Sequence, residues 1–183
     1  VVKIVGLRKA YGAKVIYVRF RDRVGNESLV SVPVTKDQAA PTGSIVVQGA
    51  LADGTPSTDW ATSTAVTVLL TQAGAASYVL GDETMSTCPP TGYTPITTTG
   101  LNHALTGTAD PRVVRVCLRD PAGNTSGPFE DTIPLDTAGP ANCAFSLAGR
   151  RVDGSPAAPG FTAQTELTAS IGGCLGAPVE LVV

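Results

Sequence analysis

The sequence is short of the residues on which several function classes depend. Its 183 residues include one His, one Met and one Trp, with 5% aromatic and 15% charged residues. No run of 18 apolar residues occurs, so no segment reads as a membrane-spanning helix. The net charge of -2 lacks the positive field that a nucleic-acid binder or a polybasic membrane module needs. A basic-then-apolar leader is missing and residue 1 is Val, so the start reads as processed or truncated. The four cysteines form no C-x-x-C pair, and a single His leaves no zinc set. No G-x-S-x-G, H-E-x-x-H, P-loop or dinucleotide fingerprint is present. What is plentiful is Thr, at 23, with 20 Gly, 14 Pro and much Val. Thr and Val suit pleated strands while Gly and Pro suit turns, which argues against a helix-rich enzyme. The length suits one large domain or two small ones and supplies enough apolar material for a core.

The chain repeats itself. Val18-Arg-Phe-Arg-Asp-Arg-Val-Gly-Asn-Glu-Ser28 returns as Val116-Cys-Leu-Arg-Asp-Pro-Ala-Gly-Asn-Thr-Ser126, an offset of 98. Asp37…Pro41 returns as Asp136…Pro140 at 99, and Asp53-Gly54 as Asp153-Gly154 at 100. Short loop insertions would produce that drift. A unit near 99 residues has the size of a β-sandwich domain, far above a solenoid repeat. Strand signals fall at 43–49, 64–71 and 76–81, then, after a Pro/Thr-rich stretch, near 100–106 and at 111–120 and 126–134; with that stretch counted, the unit holds about seven short strands and no helical period. Val114, Val116 and Leu118 alternate with Arg115, Cys117 and Arg119, and Ile16, Val18 and Phe20 alternate with Tyr17, Arg19 and Arg21. One buried and one solvated face means antiparallel sheets. Residues 1–38 match the last three strands of a unit and 39–137 hold a whole one. Residues 138–183 match the first strands of a third, through Ala177–Val183. The joints 35–41 and 135–140 are short and contain Pro, which strings domains end to end as a semi-rigid rod.

On these residues the chain resembles the tandem Ig-like repeats of large bacterial surface and secreted proteins. The pattern V-x-x-x-D-x-x-G-N followed by D-x-x-x-P occurs twice. In such repeats it ends the sixth strand, turns into the seventh and leads to the next domain. The resemblance implies an all-β array of Ig-like sandwiches with a structural, spacer or adhesive role outside the cell. It carries over no catalytic residues.

Asp22, Gly25, Asn26 and Asp120, Gly123, Asn124 read as structural turns, with carboxylates accepting from turn amides and Gly-Asn tolerating positive φ. A calcium site on Asp22, Asn26, Asp120 and Asn124, helped by Asp37 or Asp136, is the competing reading. One Asp and one Asn fall short of the six to eight oxygens calcium takes. No other cofactor is implied. Asn26-Glu-Ser and Asn124-Thr-Ser fit the N-glycosylation sequon, but both are simply the turn. An even cysteine count in a chain that looks extracellular points to two disulfides, with three connectivities open. The repeat favours Cys88 with Cys117 and Cys143 with Cys174. Cys117 falls in the solvent-facing phase, unlike the buried inter-sheet bridge of antibody domains.

Enzymatic constellations are thin. His103 reads as a lone rim residue, and Asp82-Glu83 and Glu130-Asp131 as solvated charges rather than a glycosidase pair. Lys14, Arg19, Arg21 and Arg23 help give residues 1–38 a net +5, against -6 for 39–137 and -1 for 138–183. Edge charge of that kind discourages aggregation. The expected function is non-catalytic: an extracellular stalk, adhesin shaft or filament. Partners would be neighbouring domains, or identical chains joined head to tail through the complementary ends. The alternative is a glycan-binding or accessory module of a larger secreted protein, for which Trp60 is the ligand contact, with Tyr78 and Tyr93 as its only aromatic companions.

Overall fold

The computed structural model describes residues 10–174 and divides the chain into two compact units between Asp136 and Thr137. All twelve elements among the described residues are β-strands. The expected strand within residues 1–9 and the stretch Ala177–Val183 lie outside the described residues.

In the first unit, β1 (Gly12–Arg21) and β2 (Glu27–Lys36) form a two-stranded antiparallel ribbon. The chain then builds two four-stranded antiparallel sheets. One has the order β4 (Pro56–Ser57), β3 (Thr42–Ala50), β5 (Ala65–Ala73), β8 (Gly100–Ala104). The other has the order β10 (Thr125–Ile133), β9 (Arg112–Arg119), β6 (Ser77–Gly81), β7 (Thr94–Pro95).

The core follows from strict alternation. Ile45 and Val47 of β3, Val66, Val68 and Leu70 of β5, and Leu101 of β8 are buried from one sheet. Val114, Val116 and Leu118 of β9 and Ile133 of β10 are buried from the other, with Tyr78, Leu80 and Phe129 packed against the same cluster. Each such side chain contributes about 1.5–3 kcal/mol by leaving water. The two sheets also meet along their edges, where Asp131 Oδ2 accepts from Val47 N at 2.7 Å. There a carboxylate takes the place of a ladder partner. At the exit, Ala61 N donates to Pro134 O and Asp136 N to Ala61 O, both at 2.9 Å.

The β1–β2 and β9–β10 hairpins turn in the same way. Asp22 N donates to Asn26 O at 3.0 Å, and Asp120 N to Asn124 O at 3.0 Å. Gly25 and Gly123 hold φ of 95° and 93°, a region that suits glycine. The hairpins differ in one respect. In β10 the pairs Ser126↔Leu118 and Phe129↔Val116 leave Gly127 and Pro128 opposite the single residue Cys117. The drift of the repeat from 98 to 99 is therefore a β-bulge inside a strand, not the loop insertion expected. Burial differs more. None of residues 10–40 is buried, although Ile16, Val18 and Phe20 hold the places of Val114, Val116 and Leu118.

In the second unit, β11 (Ala144–Ala148) pairs antiparallel with β12 (Thr168–Gly172). Between them the turn at Arg151–Ser155 matches the one at Leu51–Thr55. Arg151 N donates to Ser155 O and Leu51 N to Thr55 O, with Asp153 and Asp53 each accepting from the amide two residues on. None of the described residues of this unit is buried.

Candidate functional site

The polar chemistry of the complete sandwich gathers on the outward face of β9 and the 82–93 connection that covers it. β9 alternates, so Arg115, Cys117 and Arg119 share the side facing away from the core. Arg115 donates to Glu83 O at 2.7 Å, and Arg119 donates to Pro90 O at 2.6 Å while its guanidinium lies 4.0 Å from the Tyr93 ring centre. Between them Cys117 is bonded to Cys88. Cys117 occupies the outward phase as expected, yet it is fully buried, because the connection lies over it. Alternation tells which side of a sheet a residue takes, not whether a loop covers that side.

The acidic pairs, expected as solvated loop and edge charges, also act as fasteners. Asp82 accepts from Thr106 Oγ1 and Thr84 Oγ1, both at 2.6 Å, which holds its carboxyl down to about 2. Glu83 Oε1 accepts from Thr108 N at 2.7 Å and Ala109 N at 3.3 Å, and the Thr108 amide leads in lowering its pKa. Together they tie the end of β6 to the turn before β9. Glu130 pairs with Arg115 at 2.6 Å, and Asp131 accepts from Val47 N along the edge of β3.

These bonds set an acid response. A carboxyl whose pKa is lowered on folding contributes stability that is fully present above its unfolded value, near 3.8 for Asp82. The contribution is lost as pH falls through the folded value of about 2. Asp82→Asn should therefore flatten the fall in melting temperature between pH 4 and 2 without abolishing it, since Asp22, Asp53 and Asp120 are lowered too. Parallel melting curves for the two proteins across that window would contradict the assignment.

The turn residues are likewise engaged. Asp120 Oδ1 accepts from Asn124 N and Oδ2 from Asn124 Nδ2, each at 2.8 Å; Asp22 and Asn26 repeat the arrangement at 2.9 and 2.8 Å. The asparagine side chain, followed by backbone amides, lowers the pKa of both aspartates. Asn124 Nδ2 also approaches Ala39 O at 3.4 Å, linking the turn to the joint before the sandwich. Asp37, a proposed calcium helper, accepts from Ala39 N at 2.9 Å. Among the described residues, no group of three or more His, Cys, Asp or Glu side chains converges as a metal set.

The remaining candidates stand apart. His103, on β8 opposite Val66, is half-buried, its pKa lowered by burial. Arg19 and Arg21 lie 3.4 and 3.8 Å from Glu27, all of them exposed. Lys14 and Arg23 lie on the same ribbon. Trp60, just after β4, is half-exposed. Tyr78, however, pairs with Leu118 and packs against the core, and Tyr93 lies under Arg119, so the three aromatics form no cluster. On the outer face of the other sheet, Gln48, Thr67 and Asn102 stand in one cross-strand row among Ala50, Ala65 and Ala104, lining a groove of about 480 Å³. Small residues in the outward phase were the only sign of it in the sequence.

Cys143 is bonded to Cys174, so both disulfides follow the pairing the repeat favoured. No described helix is long and apolar enough to cross a membrane. The described residues thus define an all-β, disulfide-bonded protein, and the bonds fit a non-reducing compartment. Comparison with known proteins finds no matching family model, no matching curated protein and no matching solved structure.

Proposed function

We propose that the chain is a stretch of tandem Ig-like sandwich domains with a non-catalytic role, forming an extracellular stalk, adhesin shaft or filament. The observation that carries this reading is the Asp-x-x-Gly-Asn hairpin, built at 22–26 and again at 120–124 with the same hydrogen bonds. The matching turns at 51–55 and 151–155 support it. So does the use of the ionisable side chains around β9, which fasten loops to strands rather than face a cleft. Two disulfides suit secretion. The glycan-binding alternative expects clustered exposed aromatics, and with Tyr78 turned inward the geometry favours the structural role.

A spacer domain should resist extension. With the chain held by its two ends in an optical trap, the sandwich should open in one discrete step. Reducing agent should lengthen that step by about 100 Å, because Cys88 and Cys117 are 29 residues apart and each extended residue spans about 3.5 Å. Smooth extension at low force with no discrete step would overturn the reading.

A further inference from the structure

The sheet β4–β3–β5–β8 carries no Asp, Glu, Lys or Arg in any strand, whereas β9 has three arginines and β10 has Glu130 and Asp131. Its outermost strand β8 also lies within an uncharged run from Thr84 to Ala109. Charged residues are what the cores of protein interfaces lack. Charge is equally what keeps an exposed strand edge from pairing with another chain.

The sandwich has four sheet edges, and three of them are blocked. The β4 edge is two residues long, one of them Pro56, and beside it Asp131 already takes the Val47 amide. The β7 edge is again two residues with a proline, Pro95. The β10 edge holds the bulge at Gly127-Pro128, where Pro128 has no N–H to offer. β8 has none of these devices. Among the described residues it pairs with β5 alone.

That pairing fixes which main-chain groups are left over. Leu70 N donates to Thr99 O and Leu105 N to Thr64 O, both at 2.7 Å. Alternate residues of an antiparallel ladder face opposite neighbours. Thr99, Leu101, His103 and Leu105 therefore direct their main-chain groups at β5, and Gly100, Asn102 and Ala104 direct theirs away from it. These last three residues are exposed. Only the Gly100 carbonyl has a partner among the described residues, Thr98 Oγ1 at 2.8 Å.

We propose that β8 docks a second copy of this chain, whose own β8 adds antiparallel about a two-fold axis through Asn102. The edge calls for an exposed, uncharged strand with main-chain groups free at every second residue. β8 itself meets that description, and no other edge of the sandwich does. Centred on Asn102, every outward N–H meets an outward C=O. Asn102 faces Asn102 of the second copy, and Gly100 faces Ala104. The facing side chains are small apart from Asn102, whose amide can both donate and accept across the axis. Such a contact is isologous, so it stops at two copies. It uses the sandwich alone and stands whether or not the chain serves as a stalk.

Sedimentation equilibrium of the whole chain tests this. The weight-average mass should rise from 18.6 kDa with concentration and level off at twice that value. Asn102→Pro should hold the protein at monomer mass, because it removes an outward N–H and leaves the β5 ladder intact. Asn102→Lys should do the same by setting like charges directly opposite each other. Thr67→Lys, on the same face one strand in, should dimerise like the parent chain, which separates edge pairing from stacking of two uncharged faces. In the parent, the Ala104 amide should become protected from exchange as the dimer fills. Trp60 fluorescence checks that each variant is folded, and if Asn102→Pro is not, Asn102→Lys decides. A constant monomer mass at all concentrations overturns the inference, as does growth past two copies. So does a dimer that survives the substitutions at Asn102, or one that is lost in Thr67→Lys.

Discussion

Leu118→Ala should cost the sandwich about 2–5 kcal/mol, whereas Phe20→Ala should cost less than about 1 kcal/mol. The two residues hold the same position relative to the same turn, and Phe is the larger. What differs is the neighbour. Leu118 is fully buried between the sheets, so truncation leaves a cavity, while Phe20 is already 57% exposed in a single chain. Urea unfolding followed by fluorescence separates the cases, because the only Trp, Trp60, belongs to the sandwich and reports on it alone. Leu118→Ala should lower the midpoint with little change of slope. Equal midpoints for the two variants would mean that the β9 face is not the core.

Removing the Cys88–Cys117 bond should cost about 3.5 kcal/mol, the chain-entropy value for two residues 29 apart. A domain of this size has a total stability of about 5–15 kcal/mol, so the double variant Cys88→Ser, Cys117→Ser should unfold at markedly lower urea. A secondary effect follows from position. Cys117 is buried only because the 82–93 connection lies over it, and Arg115 and Arg119 hold that connection at Glu83 and Pro90. With the bond gone, the guanidinium contacts and the Asp82 and Glu83 bonds to 106–109 hold the ends of the connection, and 84–89 loses its central tie. Amide exchange in 84–92 should therefore rise well before the core strands exchange. Unchanged urea midpoints in the double variant would show that the native contacts alone restrain the loop.

Much of this architecture was legible because the chain obeys a period of two. Val114, Val116 and Leu118 announced both their strand and its buried side; the signal at 43–49 lies inside an observed strand, and those at 64–71 and 126–134 overlap theirs to within a residue at one end. The two-residue strands β4 and β7 were not legible, since two residues carry no period. The bulge at Gly127-Pro128 was read as an insertion elsewhere, because Gly-Pro looks like a loop wherever it stands. Gly127 has a reason to be there: its φ is 104°, and a Cβ would meet Val116 O at 2.7 Å. The site was harder still. Asp82, Glu83, Glu130 and Asp131 act on residues 15 to 84 positions away, and no local pattern encodes such partners. The exposure of Val18 and Phe20 was equally hidden, because an exposed apolar face and a covered one share the same alternation.

The bond from Val47 N to Asp131 bears on which strand can occupy the edge beside β3. When similar domains emerge in series, a strand of one can insert into the next, and such exchange is a common misfolding route for multidomain chains. β2 is the natural intruder for β10, since it carries the same turn and offers Val30 and Val34 where β10 offers Phe129 and Ile133. Opposite Val114, however, it would bring Val32 instead of Asp131, judging by its own pairing with Ile16. The Val47 amide, in a fully buried residue, would then lose its acceptor at a cost of about 1–3 kcal/mol. Ser31 would replace Glu130 beside Arg115 and forfeit that ion pair as well. A single carboxylate at the sheet edge thus favours β10 over β2 in that place, although the two strands share a turn and an apolar alternation.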